Sequence, residues 1–197
     1  MKQTIFFLAT LFLLNTMQAQ SVKLGLRAGL HLSNYRASSA SATQLKDRFG
    51  FDAAFLSEFR INRLFSIQAE AGYATYGIRY KEVYKVKYNQ GYVVVPVLLK
   101  FNTTEGLSVF AGPQLGVLVA AKSQTSDSDE SVNLKEYLKE NDFFVVTGAE
   151  YDLKNGFSIG VRYSHGVSNI NRDNPELSVK NRGLGFSVAY RLAAGAR

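Results

Sequence analysis

The sequence is first defined by what it lacks. It contains no cysteine, only two histidines and only three prolines in 197 residues. Without cysteine, neither a disulfide nor a thiolate metal site can form. His31 and His165 have no second histidine at the spacing of metal ligands. We therefore expect no metal centre and no cofactor.

Long apolar runs are also scarce. The longest, residues 5–14, is about half of the ~20 residues that a membrane-spanning helix needs. It follows Lys2 and precedes a more polar stretch that ends at Ala19, which predicts a cleavable signal peptide over residues 1–19. An uncleaved N-terminal anchor is the alternative. A lipid-anchored lipoprotein is excluded because no cysteine follows the run.

The rest of the chain alternates between apolar and polar residues. In residues 22–34 the even positions are almost all apolar and the odd positions polar or small, a period of two that no helix can accommodate. Similar alternation predicts seven further strands, at 51–60, 65–73, 93–101, 107–119, 145–151, 157–164 and 184–192.

The connections between these strands alternate in length. Residues 61–63, 102–106 and 153–156 are tight turns, whereas 35–49, 76–90, 123–142 and 167–181 are long and polar. This arrangement is typical of outer-membrane barrels with periplasmic termini. We predict an all-β, eight-stranded antiparallel up-and-down transmembrane barrel over residues 20–192, followed by a short tail at 193–197.

A soluble barrel would show the same alternation with its apolar face turned inward. Two features favour the membrane. The polar faces are rich in small residues, as a crowded interior requires, and the apolar faces end in aromatic residues such as Phe51, Phe65, Tyr73 and Tyr163. Aromatic girdles of this kind mark membrane interfaces.

Several stretches resemble a known family. They are GLRAGLHLSN (25–34), SIQAEAGYATYG (66–77), YVVVPVLLKF (92–101), VFAGPQLGVLVAAK (109–122) and GFSIGVRYSHGVSNI (156–170). The chain resembles the porin-like outer-membrane β-barrel family common in Bacteroidota (PorT-type, OmpX/OmpA-like). The resemblance implies an outer-membrane location and an up-and-down barrel, and little about activity. Such barrels usually finish on an aromatic residue that assists assembly, whereas this last strand finishes at Leu192.

With the apolar face outward, ten charged residues point into the lumen. We expect them to form a structural, ion-paired cluster that plugs the barrel, because unpaired charges away from water are costly. The alternative is a selective passage for small anions. The cluster comprises Lys23, Arg27, Asp52, Glu58, Arg60, Glu70, Lys100, Glu150, Arg162 and Arg191.

The second long connection carries tyrosines on one parity and cations on the other. Read as a protruding hairpin, it predicts contact with lipopolysaccharide, whose phosphates would form charge-assisted pairs with the cations. The residues concerned are Arg79, Tyr80, Lys81, Tyr84, Lys85 and Lys87. An ordinary hairpin with a solvated basic face is the alternative interpretation.

The third long connection is acidic. The group Asp127, Asp129 and Glu130 offers carboxylates for Ca²⁺, but it lacks the spaced ligands and the glycine of a calcium loop. We therefore interpret residues 123–142 as a flexible, solvated surface loop.

An enzyme would need a nucleophile and a base. His165, Ser168 and Glu176 suggest a lipid A deacylase, a remote alternative, but a separation of three places Ser168 and His165 on opposite faces of a strand. We expect no catalytic residues, an outward-facing His165 at the interface and an inward, hydrogen-bonded His31.

The net charge of +7 is compatible with nucleic-acid binding, which export from the cytoplasm excludes. The expected partners are outer-membrane lipid and lipopolysaccharide. Two functions stay open: a structural or interaction barrel, and an accessory subunit of an outer-membrane secretion or uptake system. The sequence leaves the oligomeric state open.

Overall fold

The described chain is almost entirely β-strand. The computed structural model describes residues 22–37, 45–80, 86–103, 105–125, 131–172 and 178–193. The predicted signal peptide and the tail beyond residue 193 lie outside these ranges and stay predictions. Within them the strands are β1 (Val22–Ala37), β2 (Leu45–Lys46), β3 (Arg48–Arg60), β4 (Phe65–Tyr80), β5 (Val86–Asn102), β6 (Leu107–Thr125), β7 (Ser131–Asn133), β8 (Asn141–Asp152), β9 (Phe157–Gly166) and β10 (Val179–Ala193), with a 3₁₀ turn at Lys135–Tyr137.

Eight long strands close into a barrel. Each of β1, β3, β4, β5, β6, β8, β9 and β10 pairs antiparallel with the next, and β10 returns to pair with β1, where Leu26 faces Tyr190. The short strands β2 and β7 add to β4 and β6 at one end. The predicted eight-stranded up-and-down barrel is confirmed, and its closure leaves the long strands without an open edge.

The two ends of the barrel differ, as predicted. At the end that we call the turn end, short connections join β3 to β4, β5 to β6 and β8 to β9. Asn62 closes the first turn by accepting hydrogen bonds from the amides of Leu64 and Phe65, both at 2.8 Å. Gly106 and Gly156 adopt φ of 84° and 85°, a conformation that glycine favours. We call the opposite end the loop end.

At the loop end the strands run further than predicted. β4 continues to Tyr80 and β5 begins at Val86, beyond the predicted strand ends at residues 73 and 93, so the described part of the second long connection is a protruding hairpin. The β4–β5 ladder extends to the pairs Tyr76 with Gln90 and Arg79 with Lys87. The predicted strand ends were wrong because alternation with apolar residues marks only the part of a strand that faces the membrane. Beyond this part the two strands stay hydrogen-bonded to each other, although their outward side chains are polar.

The barrel is apolar outside and charged inside. Outward-facing Phe55 and Phe186 are 74% and 73% exposed, whereas inward-facing Arg27 and Glu70 are 4% and 3% exposed. A water-soluble protein hides its large apolar side chains. The assignment of the apolar face to the outside, and with it the transmembrane interpretation, is confirmed. No helix in the described residues is long and apolar enough to span a membrane.

Candidate functional site: lumen and loop end

Lys100 lies at the centre of an ion-pair network in the turn-end half of the lumen. Its side chain is fully buried, and its Nζ atom donates to Oε2 of Glu58 at 3.1 Å and to Oε1 of Glu150 at 2.8 Å. The same ammonium group donates to Oε1 of Gln68 at 3.3 Å. The ammonium group therefore has three acceptors, one for each of its donor hydrogens.

Arg191, near the end of the last strand, completes this network. Its guanidinium donates to Oε1 of Glu150 at 2.5 Å and to Oδ1 of Asp152 at 3.1 Å. Its Nε atom lies 3.1 Å from Oε2 of Glu58, which makes an ion pair with a second carboxylate of the network. Two cations thus face three carboxylates in one buried cluster.

A second cluster surrounds Glu70 closer to the loop end. Arg162 clamps its carboxylate with two hydrogen bonds of 2.6 and 3.1 Å, and Nε of Arg27 donates to it at 3.1 Å. Arg27 also forms an ion pair with Asp52. Gln68 joins the two clusters, because its amide donates to Glu70 while its oxygen accepts from Lys100.

His31 stands beside this second cluster. One ring nitrogen lies 2.7 Å from the carbonyl oxygen of Thr75 and the other 3.4 Å from Oδ2 of Asp52. The expectation of an inward, hydrogen-bonded His31 is confirmed.

The ten residues of the predicted cluster are not all inside. Six are buried and Asp52, Arg162 and Lys23 are half-buried, but Arg60 is exposed. Its predicted place in the lumen is wrong because it is the last residue of β3, so its inward parity carries the side chain past the rim into water. The structural role of the other nine stays a prediction.

The loop-end part of the lumen is filled by aromatic and aliphatic side chains. Tyr76 stacks on Phe144 with ring centroids 5.2 Å apart, and Tyr92 meets Tyr76 edge-on at 5.8 Å. Tyr92 is completely buried. This layer was not predicted from the sequence. In β5 and β8 the inward residues are apolar as well as the outward ones, so alternation between apolar and polar residues does not show which face points into the lumen.

Two connections fold over this aromatic layer and form what we call the cap, residues 131–142 and 167–172. Leu134 and Leu138 pack against the apolar cluster. The amide of Lys139 donates to the carbonyl of Ile170 at 2.9 Å, and that of Arg172 to the carbonyl of Tyr137 at 3.2 Å. Most side chains of residues 132–141 are exposed, as predicted for a surface loop, but the packing of Leu134 and Leu138 and these hydrogen bonds tie the segment to the barrel. Asp127, Asp129 and Glu130 lie outside the described residues.

His165 and Ser168, two residues of the hydrolase alternative, have different partners in the structure. His165 lies beside the outward ring of Tyr163, with ring centroids 6.1 Å apart. The hydroxyl of Ser168 donates to Asp142 at 2.5 Å and accepts from the amide of Phe143 at 2.8 Å. Glu176 lies outside the described residues. Among those described, no three His, Asp or Glu side chains group as metal ligands.

Only part of the predicted lipopolysaccharide contact can be placed. Lys87 is exposed and lies opposite Arg79 in the β4–β5 ladder, and Lys122 is exposed opposite Asn89 in the β5–β6 ladder. Lys81, Tyr84 and Lys85, and the side chains of Arg79 and Tyr80, lie outside the described residues.

The tyrosine face of the hairpin turns toward the barrel. Tyr76 is 4% exposed, and Tyr88 is half-buried opposite Ile78, itself 2% exposed. Burial of apolar surface explains the inward position of the rings. At these two positions the tyrosines do not form an outward face for sugars.

A closed barrel with lipid-compatible side chains outside, ion pairs inside and aromatic residues toward both rims is an outer-membrane β-barrel protein. The sequence bears this out. The chain belongs to the family described as outer membrane protein beta-barrel domain, whose sequence model matches residues 18–172. The protein is therefore located in the outer membrane. No curated protein matches the chain.

Solved structures agree on the fold. Neisserial surface protein A (NspA) is 16% identical, with a TM-score of 0.56 over 86% of this chain and 97% of that one. Ail of Yersinia pestis, in complex with the heparin analogue sucrose octasulfate, is also 16% identical, with a TM-score of 0.52 over 87% of this chain and 99% of that one. At this identity the likeness concerns the fold alone, and the narrower PorT-type resemblance stays an expectation.

Proposed function

We propose that this protein is a non-enzymatic, non-conducting barrel whose cations at the loop end bind the phosphate groups of lipopolysaccharide. The observation that carries the proposal is the position of Lys87 and Lys122. Both are exposed on strands that continue past the apolar band at the loop end. Lipopolysaccharide carries phosphate groups above its acyl chains, and ammonium groups pair with phosphates through charge-assisted hydrogen bonds.

A second group of cations supports the same function on another side of the barrel. Arg182 is exposed and Lys180 half-exposed at the loop end of β10. Arg182 lies opposite His165 on β9, just above the outward ring of Tyr163. In a lipid leaflet the charged headgroups lie above the acyl chains. Cations above an aromatic girdle are therefore at the level of the headgroups.

The filled lumen supports the non-conducting part of the proposal. Eight strands leave an interior just wide enough for side chains, and here the interior carries the Lys100 and Glu70 clusters beneath the Tyr76–Phe144 layer. An ion would have to displace paired charges and then pass an aromatic layer. The accessory role in secretion or uptake stays an alternative prediction.

The test is charge reversal at the loop end. We expect Lys87→Glu/Lys122→Glu to retain about three- to tenfold less lipopolysaccharide through purification, since exposed ion pairs contribute roughly 0.2–1 kcal/mol each and reversal adds repulsion. Lys81, Lys85 and Lys87 changed together to Glu should show the same direction of effect. Retention is measured as lipopolysaccharide per mole of folded barrel in mild detergent.

The matched control reverses two exposed cations at the other end, Arg63→Glu/Lys154→Glu, within the short turns. This variant has the same net charge as the test variant and should retain as much lipopolysaccharide as the unchanged protein. Equal retention by both double variants would contradict the proposal.

A further inference from the structure

A pocket opens at the loop end between the barrel rim and the cap. Its volume is about 290 Å³, near the lower end of the roughly 300–1,000 Å³ usual for ligand pockets. The rings of Tyr35, Tyr88 and Tyr137 line it, together with Ile170 and the amide side chains of Gln90 and Asn171. It is separate from the outward cations, because Lys87 and Lys122 do not line it.

The chemistry of the lining is neutral. None of the described residues that form the pocket carries a charge, although the chain as a whole has a net charge of +7. A site for phosphate, sulfate or carboxylate would place at least one cation or a cluster of amide donors against the anion. A site for an acyl chain would lie within the apolar band, whereas this pocket lies beyond it and includes two amide side chains.

The walls are held in place before any ligand arrives. Ile170, 1% exposed, accepts from the amide of Lys139 and donates to the carbonyl of Val179, both at 2.9 Å. Tyr137 belongs to the 3₁₀ turn, and its carbonyl accepts from Arg172 at 3.2 Å. A pocket whose loops are already joined by backbone hydrogen bonds loses little conformational entropy when a ligand binds.

We propose that this pocket binds a neutral sugar unit of a surface glycan, a hexose or an N-acetylhexosamine. A sugar ring has apolar C–H faces that pack on tyrosine rings and hydroxyl groups that pair with amide side chains. Tyr137, 53% exposed at the rim, offers the ring on which the sugar packs, while Gln90 and Asn171 face its hydroxyl groups. The volume admits one ring, or a disaccharide that projects from the mouth.

The test uses the full barrel in lipid nanodiscs and saturation-transfer NMR with glucose, galactose, mannose, N-acetylglucosamine and the disaccharides maltose and lactose. We expect saturation transfer to at least one of these neutral sugars, with a Kd in the millimolar range. Tyr137→Ala should weaken that binding at least about fivefold, a loss in line with removal of one aromatic contact of roughly 1 kcal/mol. Glu136→Ala, which removes the exposed neighbour that does not line the pocket, should leave it unchanged.

Folding of each variant is checked by its heat-dependent mobility on gels. Glucose 6-phosphate and glucuronate serve as charged probes and should bind no more tightly than glucose. The proposal is overturned if no neutral sugar shows saturation transfer, or if Tyr137→Ala binds sugar as well as the unchanged protein. It is also overturned if the charged probes bind the protein tightly and lose this binding only in Lys87→Glu/Lys122→Glu. Transfer to an apolar dipeptide but to no sugar would reassign the pocket to a protein partner and reject the sugar.

Discussion

The Nζ atom of Lys100 on β5 lies 2.8 Å from Oε1 of Glu150 on β8, although β6 separates these two strands in the sheet. The same ammonium reaches Glu58 on β3, beyond β4. One side chain therefore connects three strands that share no hydrogen-bond ladder. The lumen charges act as cross-links through the barrel interior, in addition to the ladders around its wall.

Replacement of Lys100 by Met should destabilise the barrel. Removal of one partner from a buried ion pair costs about 3–5 kcal/mol, because the other charge is left without compensation. We expect the lower part of this range, since Arg191 still contacts both Glu58 and Glu150. The measurement is the free energy of unfolding in urea, from barrels folded into lipid vesicles.

Two further variants separate lost pairing from lost packing. Lys154→Met, in an exposed turn, should leave the free energy of unfolding unchanged. Lys100→Met/Glu150→Gln should recover part of the loss, because it removes one of the three carboxylates that Arg191 alone would otherwise face. A double variant as unstable as the sum of both single variants would show that Lys100 and Glu150 do not interact.

Replacement of Gly148 by Val should disrupt the lumen near the ring of Phe110. A Cβ atom at residue 148 would lie 2.4 Å from Cζ of Phe110 and 2.3 Å from the carbonyl oxygen of Val161. Overpacking of this kind costs about 1–3 kcal/mol or more. The guanidinium of Arg162, 5.3 Å from the centre of the Phe110 ring, would shift with it. The readout is again unfolding in urea.

Thr147→Val is the matched control, because it places the same side chain at the adjacent residue, which lies on the exposed outer face. It should leave stability unchanged. Gly148→Val should cost less stability in a Phe110→Ala background than in the unchanged protein, since the ring then no longer occupies the space. If the cost of Gly148→Val is the same in both backgrounds, the clash between residue 148 and the ring is not the cause.

Purified protein should give no steady conductance in planar lipid bilayers. The physical reason is the continuous filling of the lumen, by ion pairs around Lys100 and Glu70 and by the Tyr76–Phe144 stack. A large porin reconstituted in the same bilayers provides the control for detection. Single-channel steps that scale with the number of inserted barrels would contradict the plug and restore the anion passage as the function.

The strands and the direction of their faces could be predicted from the sequence because a membrane imposes strict alternation on residues such as Leu24, Leu26 and Ala28. The lumen charges followed from the same parity. The prediction for Arg60 was wrong because the parity of a residue gives the direction of its side chain and not its position along the barrel axis. At the end of a strand, this position decides whether the side chain is buried.

The loop end could not be predicted in the same way. Tyr76, Tyr92 and Phe144 meet only because of registers fixed across several ladders, including a shift in the β5–β6 pairing at Gly91 and Tyr92. Leu134 and Leu138 have charged neighbours in the sequence, so the local composition predicts a solvent-exposed loop. In the structure both side chains pack against the apolar cluster. The pocket beside Tyr137 depends on both effects and has no sequence signature.

The position of Arg191 on the last strand has a consequence for how the barrel is made. Without β10, Glu58, Glu150 and Asp152 would face Lys100 as the one cation of this cluster, and Arg191 contacts all three carboxylates. Addition of the last strand therefore also reduces the excess of negative charge inside the barrel. We expect an intermediate that lacks this strand to keep water around these carboxylates.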